Sequence, residues 1–176
     1  MTPPLSRPAV TVAALFLAAG VASGAALYGR DPDKAHVDGT EAWIPHLVIT
    51  ALIAVWFVLA ARRSPYGWRV ITMPLARATS QRVAATFRAV AIPAGLLRCL
   101  AVAFLLFVEA YTTWRIGAQV IAGSDPNFTA NAWGGPSYLG AMYCHYLDGA
   151  LIVATCHVLL RAVTAGPSRD RQHQYA

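Results

Sequence analysis

Four long apolar stretches dominate this sequence and leave one kind of fold open to the chain. They run over residues 8–29, 42–61, 93–121 and 136–160. Each reaches the roughly 20 residues that a helix needs to cross the hydrocarbon of a bilayer, at about 1.5 Å per residue. The composition agrees, since 12% of the residues are charged, against about 25% in soluble domains. We predict an all-α bundle of four transmembrane helices, with residues 1–176 forming a single transmembrane domain.

The first apolar stretch admits a second interpretation. No charge lies between Arg7 and Arg30, and small residues cluster at 21–25, a pattern that is also typical of a signal peptide with a cleavage site. The stretch is long for the apolar region of a signal peptide. We therefore expect it to be retained as a membrane helix.

Basic residues concentrate on one side of the predicted bundle. The connecting segment 62–92 contains no acidic residue, whereas the first loop is acidic. The arginines of the segment and of the tail are Arg62, Arg63, Arg69, Arg77, Arg82, Arg88, Arg161, Arg169 and Arg171. By the positive-inside rule, 62–92 is a cytoplasmic loop and both termini are cytoplasmic, an N-in/C-in topology in a bacterial inner membrane. The net charge of +6 then reflects topology, and we expect no nucleic-acid partner.

One part of the basic loop has helical spacing. Val83, Phe87 and Val90 recur at i, i+4 and i+7, with Arg82 and Arg88 elsewhere on the wheel. Such a segment can lie along the inner leaflet, where the two arginines would bind anionic lipid. A solvated loop fits the same residues, and both interpretations stay open.

The cysteines give no sign of redox chemistry. Cys99, Cys144 and Cys156 all lie in apolar stretches and form no Cys-x-x-Cys pair. This arrangement argues against a disulfide framework or a thiol-redox enzyme and favours small buried apolar side chains.

Two carboxylates lie inside the predicted spans. Glu109 is about 17 Å along its helix from Arg98, and Asp148 about 18 Å along its helix from Pro136, so both fall near the midplane of a core about 30 Å thick. An ionisable group there costs about 2.5–3.5 kcal/mol on insertion scales and normally faces protein or water. His145 lies one turn before Asp148 on the same helix face.

Other polar residues fall in the same half of the bundle. We predict that Glu109, His145 and Asp148 converge with His46 of the second span and Arg115 of the third, while Tyr111 and Tyr143 supply hydrogen bonds. Three uses of this cluster remain open. It can be a structural network, a proton-conducting element, or a metal site built from His46, His145, Asp148 and Glu109, suited to copper, iron or zinc. His46 and His145 can also be the axial ligands of a haem.

The last two spans resemble a known family. The stretch 104–114, which contains Glu109-Ala110-Tyr111, is followed by a polar loop, by Gly135-Pro136-Ser137-Tyr138, by His145-Tyr146-Leu147-Asp148 and by Arg161. Over about residues 100–162 this order is similar to subunit III of haem–copper oxidases. Asp148 stands where one alignment of that family's pattern has a second histidine. The resemblance implies a non-catalytic subunit that binds lipid and supports proton uptake, with Glu109 and His145 as the matching positions.

These observations lead to one functional hypothesis and one alternative. We expect an accessory, non-catalytic subunit of an electron-transport or other energy-converting complex, with a buried Glu/His/Asp network and no active site of its own. Its partners would be the lipid bilayer and a larger redox subunit, or further copies of itself. The alternative is a membrane metalloprotein or b-type cytochrome that binds copper, iron or haem through the intramembrane histidines and carboxylates.

Overall fold

The computed structural model describes residues 3–30, 32–89 and 93–164, with the side chains of residues 93 and 94 excepted. All regular structure in these ranges is helical, as the composition and spacing predict. The order is α1 (Arg7–Leu27), α2 (Trp43–Arg63), a 3₁₀ helix (Gly67–Leu75), α3 (Arg77–Arg88), α4 (Pro93–Ala122), α5 (Pro126–Thr129) and α6 (Tyr138–Val163).

Four of these helices, α1, α2, α4 and α6, are long and apolar enough to cross a membrane. Their bounds agree with the predicted spans to within three residues. Many large apolar side chains on them are exposed, among them Leu15, Leu52, Leu97 and Phe104, at 64%, 65%, 71% and 65%. Side chains of this kind suit contact with lipid. The chain is a multi-pass membrane protein with direct bilayer contact.

Helix α1 packs most extensively against α4, through backbone contact. Cβ atoms added to Gly20 and Gly24 would overlap the carbonyl oxygens of Trp114 and Ala118, and one added to Gly117 would overlap that of Leu17. Glycines four residues apart let two membrane helices approach until their backbones touch. The Trp114 indole also donates to the Ser23 hydroxyl, at 3.2 Å.

Helices α4 and α6 form the other large interface. At one end Val102, Leu105, Cys156 and Leu160 make a buried cluster, against which Val83 of α3 packs. Nearer the other end Gly149 faces the side chains of Ile116 and Thr112. Helix α2 packs chiefly against the 3₁₀ helix and more loosely against α6.

The predicted loop 62–92 is partly helical, because it contains the 3₁₀ helix and α3. Helix α3 is held to α4 where the Cys99 thiol donates to the carbonyl oxygen of Thr86, at 3.2 Å. Val83 of the predicted amphipathic stretch is packed inward, whereas Phe87 is 44% exposed. Val90 lies outside the described residues.

The opposite end of the bundle is covered by two connecting segments, residues 28–42 without residue 31 and residues 123–137, which we call the loop end. Asp125 ties them together: one carboxylate oxygen caps α5 at the Asn127 amide and the other accepts from the Gly29 amide, both at 2.9 Å. The Ala42 amide donates to the carbonyl oxygen of Trp133, at 2.8 Å. The side chain of Ser137 caps α6. These contacts make the loop end a lid over α4 and α6.

Candidate functional site

A large cavity lies between α4 and α6, beneath the loop end. Its volume is about 910 Å³, within the range of roughly 300–1,000 Å³ common for small-molecule sites. The residues of α4 and α6 that line it and can ionise or hydrogen-bond are Tyr111, Thr112, Arg115, Gln119, His145 and Asp148. Lys34, Asn127 and Asn131 of the loop end line it as well.

The cavity changes character along the helix axes. Because α4 runs toward the loop end and α6 runs away from it, Arg115 and His145 lie near the loop end, while Val108 and Ile152 lie deeper. Val108 and Arg115 are seven residues apart, which corresponds to about 10 Å of helix. The cavity therefore has a polar end under the loops and an apolar end within the membrane.

His46 and Asp148 lie close together beside this cavity. The Nε2 atom of His46 lies 3.6 Å from a carboxylate oxygen of Asp148. His46 is 3% exposed, whereas the Asp148 side chain is 29% exposed and lines the cavity. The two residues join α2 to α6 and place a carboxylate between the cavity and a buried imidazole.

The other nitrogen of His46 has a separate partner. Its Nδ1 lies 2.7 Å from the carbonyl oxygen of Ala42, one helical turn earlier. A carbonyl oxygen accepts only, so Nδ1 carries a proton, and Nε2 is the ring nitrogen that faces Asp148. Nε2 is buried and makes no hydrogen bond. The indole of Trp133 packs against the ring, with centroids 5.6 Å apart.

Tyr143 and Thr50 hold α2 and α6 together next to His46. The Tyr143 hydroxyl contacts the Thr50 hydroxyl and lies 3.5 Å from the carbonyl oxygen of His46. Thr50 itself donates to that carbonyl oxygen, at 2.7 Å. The Tyr143 ring stacks on Trp43, with centroids 6.0 Å apart. Hydrogen bonds of this kind between helices fix the position of His46 relative to Asp148.

His145 and Arg115 complete the polar end of the cavity. His145 lies within electrostatic range of Arg115, Asp148 and His46. Among the residues that the structure describes, no Asp or Glu forms an ion pair with Arg115. Tyr111 lines the cavity from α4 and packs against Trp114, with ring centroids 5.8 Å apart.

Glu109 lies apart from this group. One of its carboxylate oxygens is buried without a hydrogen-bond partner, and Cys156 is within electrostatic range. No hydrogen bond or ion pair joins it to Asp148 in the described part of the chain. The separation lies along the helix axis, because Cys156 is eight residues beyond Asp148, or about 12 Å further along α6.

The residues predicted as metal ligands do not form a common set. Within residues 3–30, 32–89 and 93–164, no group of three or more His, Cys, Asp or Glu side chains is arranged to hold a metal ion. His46 and Asp148 meet, whereas Glu109 is elsewhere and one His46 nitrogen is bonded to a backbone carbonyl. The metal and haem alternative stays a prediction from the sequence.

Two predicted positions lie far from the cavity. Arg82 and Arg88 are on α3, at the end of the bundle opposite the loop end, with Arg82 half-buried and Arg88 exposed. Their proposed contact with anionic lipid stays a prediction.

Several residues of the site were not anticipated. Thr50, Gln119 and Trp133 contribute directly to the cavity or to the surroundings of His46. Thr50 and Gln119 are polar residues within apolar helices, a signal that is readable in the sequence. The contribution of Trp133 depends on how the loop end folds back.

Comparisons of this chain with protein-family models, curated proteins and solved structures found no match. The case for a function therefore rests on the residues of the cavity and their geometry.

Proposed function

We propose that this protein is an accessory, non-catalytic subunit of a redox or energy-converting complex of the bacterial inner membrane, and that Asp148 and His46 exchange protons within it. The observation that carries the proposal is the position of Asp148. Its side chain lines a polar cavity, and its carboxylate lies 3.6 Å from the buried Nε2 of His46. Ionisable residues inside membrane helices commonly serve as proton relays.

The proton transfer is a short sequence of two steps. A proton that enters through the polar end of the cavity binds the Asp148 carboxylate. The resulting carboxylic acid then donates this proton to Nε2 of His46, which leaves a carboxylate facing an imidazolium whose two nitrogens both carry hydrogen. The bond between Nδ1 and the Ala42 carbonyl oxygen supports this direction, because it keeps Nε2 available as the acceptor.

The proposed topology has both termini in the cytoplasm. The arginine-rich 3₁₀ helix and α3 then lie inside, and the loop end lies outside. In this orientation the cavity receives protons from the outer face. The resemblance of residues 100–162 to subunit III of haem–copper oxidases supports an accessory role, as do the short segments between the spans.

The proposal is tested first by isolation from native membranes. We expect the tagged chain to copurify with a larger redox subunit under mild detergent. Isolation of the protein as a homo-oligomer without such a subunit would contradict the accessory role.

The proton pair is tested in the reconstituted complex. Asp148→Asn and His46→Gln should each lower the rate of proton uptake by about 100-fold, the scale of a lost acid–base group. His36→Gln is the matched control, because His36 contacts Asp38 and Glu41 at the loop end and not the cavity pair. Unchanged uptake in both variants, with the complex still assembled, would refute the exchange.

A further inference from the structure

The cavity between α4 and α6 has the shape and charge of a binding site for an amphipathic molecule. Its polar end lies under the loop end, and its apolar end is formed by Val108, Leu151 and Ile152. The polar and apolar ends of the cavity follow one another along the membrane normal, in the same order as the head and chains of a lipid in the adjacent leaflet. A ligand with a polar head and a hydrocarbon chain would therefore match the cavity along its whole length.

The charges at the polar end favour an anionic head. The Arg115 guanidinium lines the cavity there, and among the described lining residues Asp148 supplies the carboxylate. That carboxylate already faces His46, at 3.6 Å. In the part of the chain that the structure describes, Arg115 has no carboxylate partner. A guanidinium in this position presents a planar set of donors that matches a carboxylate or phosphate.

We propose that this cavity binds an anionic amphipath, with its carboxylate or phosphate head at Arg115 and its hydrocarbon chain between Val108 and Ile152. The head also reaches the hydrogen-bonding side chains of Gln119 and His145. The inference deepens the proposed function, since it names the ligand class of the same cavity. Bound there, the anion lies beside Asp148 and its negative charge influences the proton held by the Asp148–His46 pair.

Binding is measured on the purified, delipidated chain in non-ionic detergent. A variant that retains Trp133 as its only tryptophan provides the signal, because Trp133 lines the cavity. The probes are dibromostearate, phosphatidylglycerol with brominated chains, and brominated phosphatidylcholine as the zwitterionic control. We expect saturable quenching by one or both anionic probes and at least about ten-fold weaker quenching by phosphatidylcholine.

The three probes separate the sources of the anion. Quenching by dibromostearate alone identifies a free carboxylate, and quenching by phosphatidylglycerol alone identifies a lipid head group; either supports the proposal. Equal affinity for phosphatidylcholine, or no saturable quenching by any probe, would overturn it.

Matched variants locate the bound molecule. Arg115→Gln should weaken anionic binding by about ten-fold or more, while Arg98→Gln, an exposed arginine at the other end of the same helix, should not. Ile152→Trp should fill the apolar end and weaken binding. For this experiment the tryptophan signal is replaced by native mass spectrometry, and Leu159→Trp, outside the cavity, is the control.

The two proposals fail separately. The binding site would be refuted if Arg98→Gln lost as much affinity as Arg115→Gln. It would also be refuted if Arg115→Gln and Ile152→Trp both kept full affinity. Neither result depends on a partner subunit or on proton uptake. Conversely, if these variants change the affinity for the anion as expected, the binding site is supported even when Asp148→Asn leaves proton uptake unchanged.

Discussion

The contact between α1 and α4 is sensitive to a single added side chain. At Gly20 an added Cβ atom would overlap the carbonyl oxygen of Trp114. The obstructing atom is backbone, so it cannot rotate aside as a flexible side chain would. Restoring an ordinary separation of 3.4–4 Å requires α1 to move away from α4 along their whole contact.

We expect Gly20→Leu to destabilise the protein by about 2 kcal/mol. Overpacking of a close-packed site costs about 1–3 kcal/mol, and the upper value applies because the backbone blocks relaxation. Leucine also forms helices better than glycine, which returns up to about 1 kcal/mol. The net loss corresponds to a roughly 30-fold lower ratio of folded to unfolded protein.

The measurement is reversible unfolding in mixed micelles, followed by the emission of tryptophan. Trp114 reports the interface directly, because its indole donates to Ser23 of α1. Ala22→Leu is the matched control: Ala22 is an exposed position on the same helix, so its stability should stay within about 0.5 kcal/mol of the parent. A Gly20→Leu protein as stable as the parent, or more stable, would refute the backbone contact.

Three further predictions address other contacts. A double-mutant cycle of His46→Gln and Asp148→Asn should give a coupling energy of about 0.6–1.7 kcal/mol, between the average and the largest value measured for polar contacts between membrane helices; additive effects would contradict the pair. Leu160→Ala should lower the free energy of unfolding by about 2–5 kcal/mol, because Leu160 is 2% exposed in the cluster beneath α3; chemical denaturation measures this loss, and a change below 1 kcal/mol would argue against that packing. Cys144 and Cys156, 0% and 5% exposed, should react with maleimide only after denaturation, and rapid labelling of the native protein would show that the helices are not packed as described.

The helices themselves were predictable from local properties. Spans of about 20 apolar residues have few stable conformations in a bilayer other than a helix, so α1, α2, α4 and α6 appear within three residues of the predicted bounds. Close packing of α1 against another helix was also open to prediction, because Gly20 and Gly24 form a recognised spacing for such contacts.

The site was harder to predict, since a helix wheel shows which residues share a face of a helix but not which other helix packs against that face. They place Asp148 and His145 on one face of α6, and the structure places both at the cavity. They do not tell which helix lies opposite. Glu109 and Asp148 are at similar predicted depths, yet Glu109 faces the apolar part of the α4–α6 interface and makes no contact with Asp148.

Hydrophobicity and chain length alone are sufficient to specify a four-span membrane protein, because the cost of exposing backbone or charge to lipid acts on each segment locally. The pairing of Asp148 with His46, the isolation of Glu109 and the cavity beneath the loop end depend instead on helix rotation and on contacts between segments distant in the chain. Those features follow from the packing of whole helices on one another, which is a sum over many neighbours and is not specified by any one segment of the sequence.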